Sequence, residues 1–391
     1  MNSAGTLIHH VNIVLEDRIV FGSVRTANGK ITEIFEADQP AGPPDSTEVV
    51  DGDGGWLLPG FIDMHVHGGF GADFMDAGRE SFDAITKFHA AHGTTGMLAT
   101  TMTASKEAIE AVLHAVAEYR AGEMPYADLY GVHLEGPFIS EKWIGAQNPA
   151  YIMDPQLEWM KQWTERYPGL IRQLTLAPEK DGALETILWL KEREIVTACG
   201  HTDALYEEIT AAADAGLSQA VHTYNAMRGL HHREPGTLGA VLTDGRISAE
   251  LIADGLHVHP AAIRLLLAAK SRDKVILITD AMAAAGMPDG DYSLGGLAVV
   301  VRNGEARLKD GGALAGSCLT MIAAVRYLLK HTELSLTDIS RLASGNAARQ
   351  LGIGDRTGSI ARGKYADLVL LDKDHAVIRT WAKGRTVFAA T

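Results

Sequence analysis

Cysteine is nearly absent from the 391 residues: Cys199 and Cys318 stand alone and far apart. That argues against a disulfide scaffold and fits a reducing cytoplasm. No apolar run approaches the roughly 20 residues that cross a bilayer, so no membrane association is expected. The opening stretch "MNSAGTLIHHVNIVLEDR" lacks the basic start, apolar centre and small-residue cleavage site of a secretory leader. A cytoplasmic location is the expectation. Positive charge is also in deficit, with 35 Lys and Arg against 49 Asp and Glu, a net charge of −14. Nucleic-acid binding needs a basic footprint and is disfavoured. An anionic small molecule would need a local cluster of positive groups.

What is present is the balance of a globular protein, 46% apolar and 21% charged. At roughly 150 residues per domain the length suggests two to three domains, although one α/β barrel can use about 250 residues. Residues 1–58 read as short strands and hairpin turns, with "NGK" as a turn and "QPAGPPDS" as a Pro/Gly stretch. The C-terminal "GSIARGKYADLVLLDKDHAVIRTWAKGRTVF" returns to that style. A small β-sandwich domain built from both termini, 1–58 plus 358–391, is expected.

The middle, 59–357, alternates short apolar runs with helix-like segments. The runs are "FIDMHVH", "TTGMLAT", "LYGVHLEG", "IRQLTLAPE", "IVTACGH", "QAVHTY", "ISAELIAD" and "VILITDA". Eight strand–helix alternations over about 300 residues favour a (β/α)8 TIM-like barrel. A doubly wound open sheet is the alternative, but no glycine-rich nucleotide fingerprint follows the first strand.

In a barrel the C-terminal strand ends form the active face. Several runs end in a metal-ligand type: His65 and His67 on the first, Glu135 on the third, His201 on the fifth, His222 on the sixth, Asp280 on the eighth. Residues i and i+2 of a strand face one side, so His65 and His67 can share a target. Any one of these histidines alone is more often a satisfied core or surface residue. The joint placement points to a divalent metal, with zinc favoured and iron, manganese or cobalt as alternatives. Six candidates leave room for one metal or two, with Glu135 as a bridge.

Other features carry less. His9-His10 and His231-His232 read as solvated loop residues. His257-x-His259 repeats the first spacing but lies beyond the seventh strand, as in a substrate loop. "GGFG" at 68–71 lacks the Lys-Ser/Thr ending of a phosphate loop and reads as a tight turn. Cys199, two residues before His201, reads as a buried inert thiol.

"PGFIDMHVHG", "HLEGPF", "GHTDA", "HTYNAM", "REPG", "IADGLHV", "TDAM" and "LAGS" together resemble the N-acetylglucosamine-6-phosphate deacetylases of the amidohydrolase superfamily. The resemblance covers nearly the whole chain. It implies one metal on Glu135, His201 and His222, and another on His65 and His67 with Asp280 beside it. It also implies substrate contacts at Ala146, Gln147, Asn225, Ala226, Arg233, His257, Leu314, Ala315 and Gly316. Arg233 and His257 resemble a phosphate-binding pair, supplied in such homodimers partly by the neighbouring subunit. Many relatives have a histidine, thought to polarise the acetyl carbonyl, where this chain has Gln147.

The implied reaction is metal-dependent hydrolysis of N-acetyl-D-glucosamine 6-phosphate to D-glucosamine 6-phosphate and acetate, with Asp280 shuttling the proton. Asp280 could instead simply cap a helix in "TDAM". The rivals are the same chemistry on N-acetylgalactosamine 6-phosphate, a deaminase or dihydroorotase-type enzyme, and a non-catalytic scaffold. The second of these usually needs a modified lysine on the fourth strand, and "LTLAPE" offers none.

Overall fold

The structure is a computed structural model that describes residues 5–36 and 48–391. The "QPAGPPDS" stretch lies outside the described residues. Each of the eight apolar runs contains a strand: Phe61–Val66, Thr94–Thr101, Asp128–Glu135, Ile171–Leu176, Val196–Cys199, Gln219–Ala220, Ser248–Ile252 and Val275–Ile278. Neighbours pair in parallel in this order. Parallel strands are covered on both faces, which is why they read as continuous apolar runs rather than alternating ones. The first strand, for example, is buried at all six positions.

The first and eighth strands close the ring, which rules out the open sheet. Asp280 N–H donates to His65 O at 2.8 Å, and His67 N–H donates to Ala281 O at 2.8 Å. Asp63, fully buried on the first strand, accepts from Thr279 Oγ1 at 2.5 Å. Burial pushes the Asp63 carboxyl up to about 7.

A helix follows each strand: Arg79–Ala90, Lys106–Ala121, Leu157–Arg166, Ala183–Lys191, Tyr206–Ala215, Gly236–Thr243, Pro260–Ala269 and Met321–His331. One core of strand and helix side chains, including Phe61, Ile62, Phe82, Val132, Leu174, Ile209, Leu277 and Leu328, fills the barrel and its helical layer. The eighth helix is delayed by a three-stranded antiparallel sheet, Gly290–Leu294, Leu297–Arg302 and Glu305–Leu308. Leu294, Val299 and Val301 of that sheet pack with Met102, Ala146, Met282 and Ala315 beside the barrel mouth.

Both termini enter one further sheet. Trp56–Pro59 pairs in parallel with Thr6–Val14 and antiparallel with Leu368–Leu371. Its own core contains Ile8, Val11, Ile13, Leu57, Leu368, Leu370 and Trp381. Gly60 alone separates this sheet from the first barrel strand. A Cβ there would lie 2.2 Å from the Thr95 side chain, so the approach of sheet and barrel requires glycine. His9 and His10 lie within Thr6–Val14, at the irregularity between Ile8 and Val11, and not in a loop. No helix among the described residues is long and apolar enough to cross a membrane.

Candidate active site

The six expected ligands all reach the C-terminal mouth of the barrel. His65 lies in the first strand and Glu135 ends the third. His67, His201, His222 and Asp280 stand one or two residues past their strands, where the chain turns. The backbone is left-handed at His201 (φ 48°), His222 (φ 30°) and Asp280 (φ 52°). Such conformations cost free energy in non-glycine residues and gather at functional sites. Asp280 does not cap a helix, since the next one starts at Met321. Gly200 permits the closeness of the fifth and sixth strands: a Cβ there would lie 2.1 Å from Val221 Cγ2.

All six side chains are buried, and they form two triads, His65–His67–Asp280 and Glu135–His201–His222. Glu135 sits between them. Its Oε1 lies 3.2 Å from His65 Nε2, 3.4 Å from His201 Nε2 and 3.1 Å from His222 Nε2. Its Oε2 lies 3.2 Å from His67 Nε2. Asp280 Oδ1 is 3.3 Å from His67 Nε2 and 3.5 Å from His65 Nε2.

The hydrogen bonds behind the ligands decide whether a cation fits. His201 Nδ1 faces Trp143 O at 2.9 Å, and His222 Nδ1 faces Asn225 O at 3.1 Å. A carbonyl oxygen only accepts, so in the neutral rings both Nδ1 atoms carry the proton and both Nε2 atoms are bare. Those two bare nitrogens lie 3.1 Å apart and face the Glu135 carboxylate. His65 repeats the pattern. Its Nδ1 lies 2.9 Å from Glu250 Oε2, and its buried Nε2 makes no hydrogen bond among the described residues. Converging lone pairs of this kind repel unless a cation lies among them, and imidazole with carboxylate suits a borderline divalent ion. The titration directions agree. Burial opposes charge on His65, but Glu135, Asp280 and Glu250 raise its pKa well above the usual value. Burial likewise opposes charge on His67, and Asp280 and Glu135 still raise it to about 9. Burial pushes Glu135 and Asp280 up, yet the imidazoles hold both below the usual carboxylate range. The cluster therefore demands positive charge.

Above the cluster opens a cavity of about 440 Å³. Ala146, Gln147, Asn225, Ala226, His257, Leu314 and Gly316 line it, as do Lys142 and Trp143. Ala315 is fully buried behind the wall. Arg233 is not part of the lining. It is exposed, with its guanidinium donating to His232 Nε2 at 2.8 Å. His257 Nδ1 pairs with Asp254 Oδ2 at 2.6 Å, whereas His259 caps the following helix. Gly68–Gly69 and Ala72–Asp73 form a small hairpin around the "GGFG" turn. Cys199 is buried and its thiol is pushed up to about 12, which leaves it inert.

Three supporting residues were not among the expected ones. Glu250 is fully buried and accepts from Gln173 Nε2 at 3.0 Å, besides meeting His65. Its sequence signal is a lone carboxylate inside the apolar run "ISAELIAD". Trp143 O holds His201 Nδ1 and Thr103 N–H donates to Gln147 Oε1, main-chain contacts that side-chain identity does not reveal.

An amidohydrolase family model matches residues 56–387. The N-acetylglucosamine-6-phosphate deacetylase of Bacillus subtilis is 44% identical over 386 residues, covering 98% of this chain and 97% of the relative. The N-acetylgalactosamine-6-phosphate deacetylase of Escherichia coli O157:H7 is 40% identical and covers 93% of each chain. A Mycobacterium smegmatis N-acetyl-D-glucosamine-6-phosphate deacetylase variant, solved with N-acetyl-D-glucosamine-6-phosphate, superposes with a TM-score of 0.91 at 34% identity. It covers 99% of this chain and 100% of that one. With two buried triads of histidines and carboxylates at the mouth of a closed barrel and relatives of matching length, the chain belongs to the amidohydrolase family, within its N-acetylglucosamine-6-phosphate deacetylases.

Proposed function

We propose that the chain hydrolyses the acetamide of N-acetyl-D-glucosamine 6-phosphate to D-glucosamine 6-phosphate and acetate. The convergence of both triads beneath a 440 Å³ cavity carries this reading, in a chain whose full-length relatives bear that deacetylase name. Glu135, His201 and His222 would hold one divalent ion, and His65 and His67, with Asp280, a second. Zinc is favoured, with iron, manganese or cobalt as alternatives. Such an ion supplies Lewis acidity and brings the pKa of a water towards ~7.

The protein's own groups do the rest. Asp280, ionised beside two imidazoles, accepts a proton from the attacking water. It returns that proton to the amine, which cannot leave unprotonated. Asn225, Ala226, Leu314 and Gly316 shape the wall that orients the sugar, with Ala315 packed behind it. His257 meets the phosphate, so binding energy far from the amide counts towards rate.

Arg233 lies outside its own chain's cavity, which favours a homodimer in which each chain lends Arg233 to its neighbour. A terminal β domain of 1–58 with 358–391 on a catalytic barrel of 59–357 belongs to the same proposal. So does action in the cytoplasm, in amino-sugar catabolism or recycling, consistent with two free cysteines.

The galacto epimer is the second reading, favoured by the Escherichia coli relative at 40% identity. Acetate release from both phosphorylated sugars and from their unphosphorylated forms separates these readings. The expected order places N-acetylglucosamine 6-phosphate first. Comparable kcat/KM with and without phosphate would contradict the role of the phosphate, and a preference for the galacto sugar would reverse the epimer.

A further inference from the structure

Gln147 is 3% exposed, and both ends of its amide are engaged. The main-chain N–H of Thr103 donates to Oε1 at 2.8 Å. Nε2 donates to Glu135 Oε2 at 2.7 Å. The orientation is forced. An N–H must meet the amide oxygen, so the amide nitrogen must meet the carboxylate. A backbone group, which cannot move without moving the loop after the second strand, thus dictates which way Gln147 points.

The partner of that amide is the one carboxylate that lies between the two triads. Glu135 has to turn Oε1 towards His65, His201 and His222 while Oε2 faces His67. A carboxylate ending a flexible side chain has other rotations available, and each would cost one triad its oxygen. Among the described residues that meet Glu135, Gln147 is the neutral donor fixed by the main chain. Three ligand histidines are held from behind by acceptors at Nδ1, His201 and His222 by the main-chain oxygens of Trp143 and Asn225, and His65 by the Glu250 carboxylate, while His67 Nδ1 is buried with no hydrogen-bond partner among the described residues. The Glu135–Gln147–Thr103 chain is the corresponding support on the carboxylate side.

We infer that Gln147 is a positioning residue. It locks the rotation of Glu135 through Thr103 N–H and so sets how tightly the cluster holds its metal, rather than polarising the acetyl carbonyl. This rests on the metal-dependent reading above. Supporting groups behind metal ligands contribute about 10–100-fold to metal affinity when they are removed.

The test is competition for zinc between a chromophoric chelator and full-length protein stripped of metal, comparing wild type with Gln147→Met. Methionine keeps the volume and removes the donor. Zinc affinity should fall about 10–100-fold. The melting temperature of the stripped protein should fall modestly, because the buried Thr103 N–H loses its acceptor, while KM at saturating zinc should stay near wild type, which separates loss of the support from a general loss of structure. Zinc affinity within twofold of wild type would overturn the inference. Paired with a raised KM, it would make Gln147 a substrate contact instead. Wild-type protein that binds no zinc, iron, manganese or cobalt would overturn the metal-dependent reading itself. Gln147→Leu provides the same comparison should the methionine variant not fold.

Discussion

Asp280 occupies a left-handed backbone position at φ 52° while its carboxylate meets two imidazoles. Asparagine tolerates that backbone and matches the shape, but cannot accept a proton from water. Asp280→Asn should therefore melt near the wild-type temperature and lose about 10²–10⁴-fold in turnover. Near-normal acetate release from that variant would remove Asp280 from the proton shuttle. His257 makes a second prediction. Burial opposes its charge, but its bond to Asp254 and the charges of Asp254, Asp280 and Glu305 raise its pKa above the usual value. It is then cationic below that raised pKa and neutral above it. KM for the phosphorylated sugar should rise as pH climbs through it. In Asp254→Asn the main prop is gone, so the rise should begin at lower pH. Superimposable KM–pH profiles for the two proteins would show that His257 does not meet phosphate as a cation.

At the scale of elements, the barrel strands were legible because parallel strands bury both faces and then end in polar ligands. The joint pattern of His65, His67, Glu135, His201, His222 and Asp280 showed where the strands stop. Two things escaped that pattern. The sheet over 290–308 has turn signals at Gly295-Gly296 and Asn303-Gly304, but it interrupts the strand–helix alternation between the eighth strand and Met321–His331. The supporting contacts of Trp143 and Thr103 are backbone contacts, whose partners depend on folding. Glu250 was readable as a carboxylate out of place in a buried strand. It accepts from Gln173 and Gln219 and meets His65 Nδ1. Glu250→Gln would leave an amide N–H among donors. Zinc affinity should fall about 10–100-fold in chelator competition, as for other groups behind metal ligands. Unaltered affinity would make Glu250 a packing residue only.

At the scale of the whole molecule, the terminal sheet shows what local sequence cannot say. Trp56–Pro59 and Leu368–Leu371 each read as short strands, but nothing in either marks the other as its antiparallel partner. The same holds for association between chains. Arg233 sits exposed beside His231 and His232, outside the cavity it was expected to serve. In the shared-site dimer, Arg233→Ala raises KM for the phosphorylated sugar. Mixing Arg233→Ala with Asp280→Asn, followed by subunit exchange, should then restore activity, because one of the two sites receives an intact Arg233 and an intact Asp280. Activity no greater than the sum of the separate variants would place the phosphate contact within one chain. Beneath all of this lies the claim that the buried imidazoles and carboxylates of this barrel hold a divalent ion needed for amide hydrolysis. It is tested most directly by stripping the protein with a chelator, titrating zinc back, and measuring bound metal and acetate release from N-acetylglucosamine 6-phosphate on the same samples. Acetate release should vanish on stripping and return in step with bound zinc; full release from metal-free protein would contradict the account.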